Sequence, residues 1–539
     1  MADLRILIAD KLADDGLKLL EAEGVDYDVK VGLKEDELTA AVKGYDGLAV
    51  RSGAKVTKKV LEDPGKLKAI ARAGVGVDNI DLDAATARGV LVVNTAAAST
   101  LSTAEHAIAL MYALARKIPG ADAHVRAGSW KKSQYQGTQL AGKTLGVVGL
   151  GRIGQTVATR CLAMEMKVVG YDPYFKGDAA LDGRVKIVKD FNEFLKQLDV
   201  ITFHVPGGGD TKHLLDARRL NEIAKPNLLV VNDARGEVVD EYALAEALRA
   251  KKIAGAAVDV FAVEPPPQDH PLFGLDNVVL TPHLGAQTDE AQEAVAVEAC
   301  RALVAYLKRG EISGAVNLSG VKLDLPADEA ALADVASRAG RLLTALVEPK
   351  DLDEVIVRAS GEKAQKNLET LKRLAAVELL SPMLASPANV INVEPSAAER
   401  SITLVANAET APPQGLVGNI VGVRATTTHG SHRILGTAYA DGRPRVLRID
   451  DFEMDLVPAG EMVLIENDDQ PGVIGTVGQA FGVASVNIAD MVISRAEVAG
   501  TQRALMVLKV DQAPDDALLE SLRQHENIRR VSRVSLPPL

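Results

Sequence analysis

The sequence predicts an α/β protein of two doubly wound parallel-sheet lobes, followed by a smaller α+β segment and a terminal βαββαβ unit. Three observations carry that expectation. Short apolar runs alternate with helix-period segments from Arg5 to Val93 and again beyond Thr144, the pattern of parallel sheets wound by helices. Between these two regions, Leu140 to Asp172 supplies strand, glycine turn, helix and second strand in the order a nucleotide-binding crossover requires. From Pro326 the character changes, and from Met462 the order becomes strand, helix, strand, strand, helix, strand.

The crossover is the most informative stretch. Thr144 to Val148 is a strand-length apolar run, and Gly149, Gly151 and Gly154 follow as GxGxxG where a helix from about Arg152 to Met164 should begin. The first glycine permits the tight turn, the second lets the backbone approach a pyrophosphate, and the third lets helix and strand pack closely. The phosphates then face the positive end of the helix. A second apolar run, Lys167 to Tyr171, ends at Asp172, where an acid hydrogen-bonds the adenosine ribose hydroxyls. A carboxylate there repels a 2′-phosphate, so NAD is expected over NADP. A lone glycine-rich turn has a purely structural reading; strand, glycines, helix, strand and acid in order favour the functional one.

The chain has 539 residues, too many for one hydrophobic core. With 61 Lys and Arg against 73 Asp and Glu, its formal charge of −12 argues against coating a nucleic acid, so any anion needs a local basic pocket. Cys161 and Cys300 fall within helical patterns at no metal-ligand spacing and read as small core residues; no metal is expected. MADLRILIAD opens directly on a strand, and no apolar run approaches the ~20 residues that span a bilayer, so a cytoplasmic protein is expected. The lone Trp130 reads as a packing or interface anchor.

In the first lobe, RILIA, YDVKV, GLAV, LKAIA and VLVV are strands, with helices at Asp14 to Ala22 and Asp36 to Val42. Arg51 and Ser52 follow one strand, and Arg72-Ala73-Gly74-Val75-Gly76 another; ligands gather at such carboxyl ends, although a solvated arginine is the competing reading. A helix through Glu105 to Arg116 carries the chain between lobes. Ser102 and Glu105 have capping-box spacing for it, and Pro119-Gly120 should stop it. A helix from Asp289 to Lys308, capped by Gly310, returns the chain to the first lobe. The nucleotide lobe, 99–284, is then inserted in a substrate lobe, 1–98 and 285–318. In 319–457 two amphipathic helices, Glu329 to Leu346 and Glu362 to Leu379, precede strands that include a hairpin turning at Asp441-Gly442. The terminal unit occupies 458–539 and reads as ferredoxin-like.

Three strand ends carry residues suited to alcohol oxidation: Arg235 in NDARG, Glu264 in DVFAVEPP and His283 in TPHLGA. A hydroxyl must lose its proton as hydride departs, and histidine titrates near neutrality. A carboxylate on its other nitrogen fixes the tautomer. Arginine offers a planar fork to a substrate carboxylate. Singly, each also reads as a structural histidine or a surface ion pair.

LAGKTLGVVGLGRIG, YDP, NDARG, DVFAVEPP and TPHLGAQT together resemble the D-isomer-specific 2-hydroxyacid dehydrogenases over Arg5 to Leu318. With RSG at Arg51, RAGVGVDNID at Arg72, and ENDDQPGVIGTVG and VNIADM in the tail, the similarity narrows to the long-form D-3-phosphoglycerate dehydrogenase family. That resemblance implies a Rossmann NAD domain inserted in a flavodoxin-like substrate domain, then an intervening domain and an ACT domain. It implies Arg235, Glu264 and His283 as catalytic residues. Arg51, Ser52, Gly74 and Val75 join Arg235 and His283 as substrate contacts, with Lys131 or Lys132 as further cations for a phosphate. It implies NAD contacts from Gly149, Gly151, Arg152, Ile153, Gly154, Asp172, His204, Pro206, Ala234, Asp259, His283 and Gly285. The implied reaction is oxidation of 3-phospho-D-glycerate at the entry to serine synthesis. L-serine would act as effector at Asn467, Asp469 and Asn487 between two copies of the terminal unit, in a homo-oligomer, a tetramer ahead of a dimer. Another D-2-hydroxyacid dehydrogenase and a catalytically silent NAD or amino-acid sensor are the alternatives. Four places depart from the family's usual pattern: Ala96 and Ala98 replace a proline and a glycine, Ser99 an asparagine, Asp233 and Glu237 flank Arg235, and Gly207-Gly208-Gly209 replaces bulkier residues near the adenine.

Overall fold

A computed structural model describes residues 4–384 and 387–539; Met1 to Asp3 and the pair 385–386 of the expected intervening segment lie outside it. Four sheets organise the chain. The first has five parallel strands in the order Asp26–Val29, Arg5–Ile8, Gly47–Val50, Ala69–Arg72, Leu91–Asn94, the flavodoxin-like 2-1-3-4-5 winding. Its central strand, Gly47–Val50, is buried at every residue, because parallel strands covered on both faces need continuous apolar sequence rather than alternation.

The second sheet runs Val278–Leu280, Gly255–Val258, Leu229–Asn232, Val200–Phe203, Thr144–Val148, Lys167–Tyr171, Val185–Ile187, Ala179–Ala180, and only the last pairing is antiparallel. The winding reverses on either side of Thr144–Val148, so the glycine turn opens at a topological switch point. Helix Asp289–Arg309 ends where Gly310 takes φ 70°, and packs Val295, Ala299 and Leu303 among Ile6, Ile8, Ala49 and Leu91. The chain therefore returns to the first lobe.

Three expectations are corrected. The helix linking the lobes is Thr100–Ala115, so Ser102 lies inside it and forms no capping box; its hydroxyl donates to Gly285 O at 2.9 Å. Pro119 does not stop that helix. Lys117 turns the chain at φ 55°, and Pro119 sits in the first turn of a second helix, Ile118–Arg126, where its missing N–H costs no hydrogen bond. Residues 362–380 form two helices, Glu362–Lys366 and Leu368–Leu380, broken at Asn367, whose amide donates to Glu329 Oε2 and Lys363 O. Trp130 is 82 % exposed and anchors nothing within the chain.

The third sheet is a six-stranded mixed sheet with the predicted hairpin, Gly442 at φ 78° in its turn. The fourth runs Ile488–Val498, Thr501–Val510, Gly460–Asp468, Ile528–Leu536, all antiparallel, with helices Val473–Val483 and Asp516–Arg523 on one face. Val463 and Ile465 face those helices, while Met462 and Leu464 share a core with Leu342 and Val421 of the intervening segment. Burial on both faces explains why these strands read as apolar runs. No helix among the described residues is long and apolar enough to cross a membrane.

The close crossing of helices Asp14–Ala22 and Asp289–Arg309 is testable at Gly16, where a Cβ would stand 2.9 Å from Ala296 O. Alanine favours a helix over glycine, yet Gly16→Ala is expected to destabilise the fold by about 1–3 kcal/mol through overpacking. Denaturant unfolding with unchanged or raised stability would refute the crossing.

Candidate active site

The glycine turn matches the three roles its spacing predicts. Gly149 has φ 87°, and a Cβ on it would collide with His204 O. Gly151, the N-cap of helix Arg152–Ala163, has open space where its Cβ would be. A Cβ on Gly154 would strike Gly149 O, so helix and turn touch through bare backbone. Asp172 stands at the end of the next strand, its Oδ2 accepting from Leu150 N at 2.9 Å and its Oδ1 from Tyr174 N. Bare backbone at the helix N-terminus beside this carboxylate fits a dinucleotide, with the pyrophosphate at Gly151 to Ile153 and the ribose at Asp172. His204 and Pro206 follow the adjacent strand. Burial pushes His204 down to about 3, so its ring is neutral and its Nε2 bonds Thr202 Oγ1 at 3.1 Å.

Strands Leu229–Asn232, Gly255–Val258 and Val278–Leu280 are consecutive parallel neighbours, so the loops after them emerge side by side. They bring Arg235, Glu264 and His283 to one rim. His283 Nδ1 lies 2.8 Å from Glu264 Oε2, and Phe261 N donates to Glu264 Oε1 at 3.0 Å. Burial opposes ionisation of Glu264, but the hydrogen bonds from His283 and Phe261 outweigh it and hold the carboxyl below its usual range. His283 has φ 55°, a left-handed conformation fixed by its amide donating to Asp259 O at 2.8 Å. Its Nε2 has no partner among the described residues, and half of the side chain is exposed.

Across the cleft, Asp10 Oδ2 accepts from Arg51 N and Ala54 N, and Asn79 Nδ2 donates to Arg51 O and Ala54 O, which fixes the turn carrying Arg51 and Ser52. Gly74 N donates to Thr95 Oγ1 at 2.7 Å, and Asn94 Nδ2 to Val75 O at 2.7 Å. Arg72 folds its guanidinium over Gly74, where a Cβ would collide with it. Burial, then the charges of Arg235 and Arg51, lower Arg72 to about 10, and it has no carboxylate within ion-pair distance among the described residues. Two guanidinium groups thus meet this backbone from both lobes, Arg72 at Gly74 and Arg235 at Gly76, while Arg51, whose Nη1 donates to Lys11 O, acts on Arg72 through its charge. The sequence placed Arg72 at the cleft without assigning it a contact, and Asp78 was missed altogether. Asp78 Oδ2 accepts from Arg235 Nε at 3.0 Å. Its signal was available: Asp78 lies in the RAGVGVDNID segment, and a cleft arginine in an acidic chain attracts a carboxylate.

Comparison with known proteins now has a geometry to meet. Residues 108–285 match the D-isomer specific 2-hydroxyacid dehydrogenase NAD binding domain, 332–450 the D-3-phosphoglycerate dehydrogenase intervening domain, and 462–527 the ACT domain. The chain is 38 % identical over 534 residues to a D-3-phosphoglycerate dehydrogenase of Methanocaldococcus jannaschii, covering 99 % of this chain and 100 % of that one. The chain belongs to the D-3-phosphoglycerate dehydrogenase family. A Bacillus subtilis member is 35 % identical over 539 residues, 99 % of this chain and 100 % of its own. Among solved structures, a D-lactate dehydrogenase of Aquifex aeolicus complexed with NAD and lactic acid superposes with a TM-score of 0.51 at 30 % identity, over 56 % of this chain and 95 % of its own. The family's NAD-binding domain makes NAD the cofactor of this oxidoreductase.

Within this family frame the departures resolve physically. Ser99 is fully buried, and Asn94 and Thr95 of the same loop support Gly74 and Val75. Neither flanking carboxylate pairs with Arg235. Glu237 lies over Gly207, where a Cβ would collide with it, and Asp233 turns inward to Asp259. Ala234 is buried beneath them. Asp259 is fully buried and spends its oxygens on Thr281 Oγ1, Leu284 N, Gly285 N and His106 Nε2, so it faces the protein rather than the cleft. Burial opposes its ionisation, yet those bonds hold it far below the usual range, and the resulting stabilisation is present above the ordinary carboxylate pKa and lost as pH falls through the lowered value.

In the ACT domain the expected effector residues fall in two places. Asn467 lies within strand Gly460–Asp468, its Oδ1 buried and without a partner among the described residues. Asp469 pairs with Arg495 at 3.3 Å, and Asn487 Nδ2 donates to Asp511 Oδ2 at 2.8 Å. The register pairs Asn467 with Ala504, whereas Ile488 and Glu461 both pair with Val510. Asn487 is therefore at the opposite end of the sheet, about 20 Å away at strand rise, and the three residues do not converge within one chain.

Asp172→Ala is expected to narrow the preference for NAD over NADP by roughly tenfold or more, since it removes the carboxylate that repels a 2′-phosphate. The measurement is kcat/KM for both cofactors. An unchanged ratio would dismiss the ribose contact.

Proposed function

We propose that the chain oxidises 3-phospho-D-glycerate to 3-phosphohydroxypyruvate, the entry to phosphorylated serine synthesis, in a cytoplasmic homo-oligomer, a tetramer ahead of a dimer. The observation that carries this reading is the placing of Arg72 and Arg235 on the Gly74 to Gly76 backbone, with the charge of Arg51 felt at Arg72, in a chain of charge −12. A substrate with a carboxylate at one end and a phosphate at the other matches such a site; lactate, with one anionic group, uses it poorly. Relatives of that name, alike over nearly the whole length, support it.

The residues divide the work by position. Arg235, with the Val75 amide next to Gly74, takes the carboxylate, and its Nε bond to Asp78 orients the fork. Arg51 and Arg72 take the phosphate, Ser52 adds a hydroxyl, and Lys131 or Lys132 adds further positive charge. His283 Nε2 removes the hydroxyl proton while Glu264 holds Nδ1–H and stabilises the imidazolium. The glycine turn and Asp172 would hold NAD, which would supply the acceptor for the hydride. The substrate lobe is 1–98 with 285–318, the nucleotide lobe 99–284, the intervening domain 319–457 and the regulatory domain 458–539.

Assaying NADH formation against phosphorylated and unphosphorylated 2-hydroxyacids tests the substrate. In the same assay His283→Ala is expected to lower kcat by roughly 100-fold or more while NAD still binds. Near wild-type turnover in that variant would remove the histidine from the mechanism.

The ACT domain supports an amino-acid effector, which we assign as L-serine. An amino acid needs acceptors for its ammonium and donors for its carboxylate, and Asn467, Asp469 and the Val473–Val483 helix N-terminus supply both at one end of the sheet. Asn487 comes from a second chain packed head to tail. Asn467→Ala and Asn487→Ala should each abolish serine inhibition, and mixed oligomers of the two should regain part of it, because one intact site forms per pair. Absence of recovery in verified hybrids would place the site within single chains.

A further inference from the structure

The nucleotide lobe buries one acid more than the chemistry uses. Asp233 is 6 % exposed and Asp259 fully buried, and with His106 they bring one polar atom each within 4.8 Å of one another. On Asp259, Oδ1 accepts from Thr281 Oγ1, Leu284 N and His106 Nε2, whereas Oδ2 accepts, among the described residues, only from Gly285 N at 3.1 Å. Asp233 Oδ2 is out of solvent and finds no donor among the described residues. Its Oδ1 stands 2.8 Å from where a Cβ on Gly285 would be. An ionised Asp233 would face a second carboxylate with nothing to satisfy it. As an acid it has an O–H to give, and Asp259 is within reach. A metal ion is the poorer guest, because N–H and O–H groups already direct their positive ends at Asp259.

We infer that Asp233 is a positioning residue: as a neutral acid it donates a hydrogen bond to Asp259, and the pair locks the 281–285 loop from which His283 faces the cleft. This rests on the reading of His283 as acid/base. The loop depends on Asp259 at four points, through Thr281 Oγ1, His283 N, Leu284 N and Gly285 N. Burial, then the charge of Asp259, raises Asp233 well above its usual range. Its contribution is therefore complete below the ordinary carboxylate pKa and lost as pH rises through the raised value. The other groups facing the pair are His106 from helix Thr100–Ala115, bonded to Asp259, and Glu264 at the rim, which feels the charge of Asp259, while Arg235 turns to Asp78 and His283 Nδ1 to Glu264. When the proton leaves, two carboxylates share a dry pocket and the loop is released, so activity falls through an alkaline limb that belongs to the pair.

The test measures kcat/KM against pH for the full-length wild type, Asp233→Asn and Asp233→Ala, with His283→Ala as reference. Alanine is expected to lose roughly tenfold to a hundredfold at neutral pH, the scale of a misplaced catalytic group. Asparagine keeps an N–H donor of the same shape and cannot ionise, so it should recover most of that loss and carry no such alkaline limb. An infrared band of a protonated carboxyl should be present in the wild type and absent from Asp233→Asn. An alkaline limb unchanged in Asp233→Asn would overturn the inference, as would wild-type behaviour of Asp233→Ala. Calorimetric binding of Mn²⁺ or Zn²⁺ that Asp233→Ala removes would put a cation in place of the proton and overturn it too. If His283→Ala stays active, the catalytic reading fails first; if it is inactive while both Asp233 variants track the wild type, only the lock fails. Should Asp233→Ala not fold, the Asp233→Asn profile decides.

Discussion

One buried carboxylate holds the active rim together. Asp259, at the end of strand Gly255–Val258, binds helix Thr100–Ala115 through His106 and the following strand's loop through Thr281, Leu284 N and Gly285 N. These are charge-assisted bonds in a site shielded from water, where each is stronger than in solution and each missing partner costs more. They fix the backbone on both sides of His283, whose left-handed φ would otherwise relax. Glu264 can then meet Nδ1 at 2.8 Å because both loops leave adjacent strands.

The opposite wall gathers positive charge. An acidic protein presents Arg72 and Arg235 against bare backbone at Gly74 and Gly76, and burial, then repulsion from Arg235 and Arg51, lowers Arg72. Asp78 relieves part of that field by engaging Arg235 Nε. Positive charge gathered in one cleft of an acidic protein favours the approach of an anion.

The C-terminal half is joined to this site by packing. One face of the terminal sheet closes the intervening core, and Arg338 donates to Pro458 O, Pro537 O and Pro538 O, tying both ends of the ACT domain to helix Ala327–Leu343. The intervening segment reaches the first lobe through Val390 and Ile391, which join its core, and through Asn389 Nδ2 donating to Gly89 O at 2.9 Å. The contacts are contiguous from effector sheet to substrate lobe, which provides a physical route for coupling without by itself measuring one.

Sequence alone determined what local rules govern. Strand and helix periods, the glycine turn with Asp172, the αL cap at Gly310 and the Asp441-Gly442 hairpin depend on residues a few positions apart, and the strand-end Arg, Glu and His followed from winding rules. Tertiary structure decided the rest, because the deciding partner lay far along the chain. Ser102 bonds Gly285 rather than capping its helix, Asp78 crosses a lobe boundary to Arg235, and Asp233 turns from Arg235 to Asp259. Strand register, invisible in composition, separates Asn467 from Asn487 by the length of a sheet. Alternation tells which residues share a face; only pairing tells which end of the sheet they occupy.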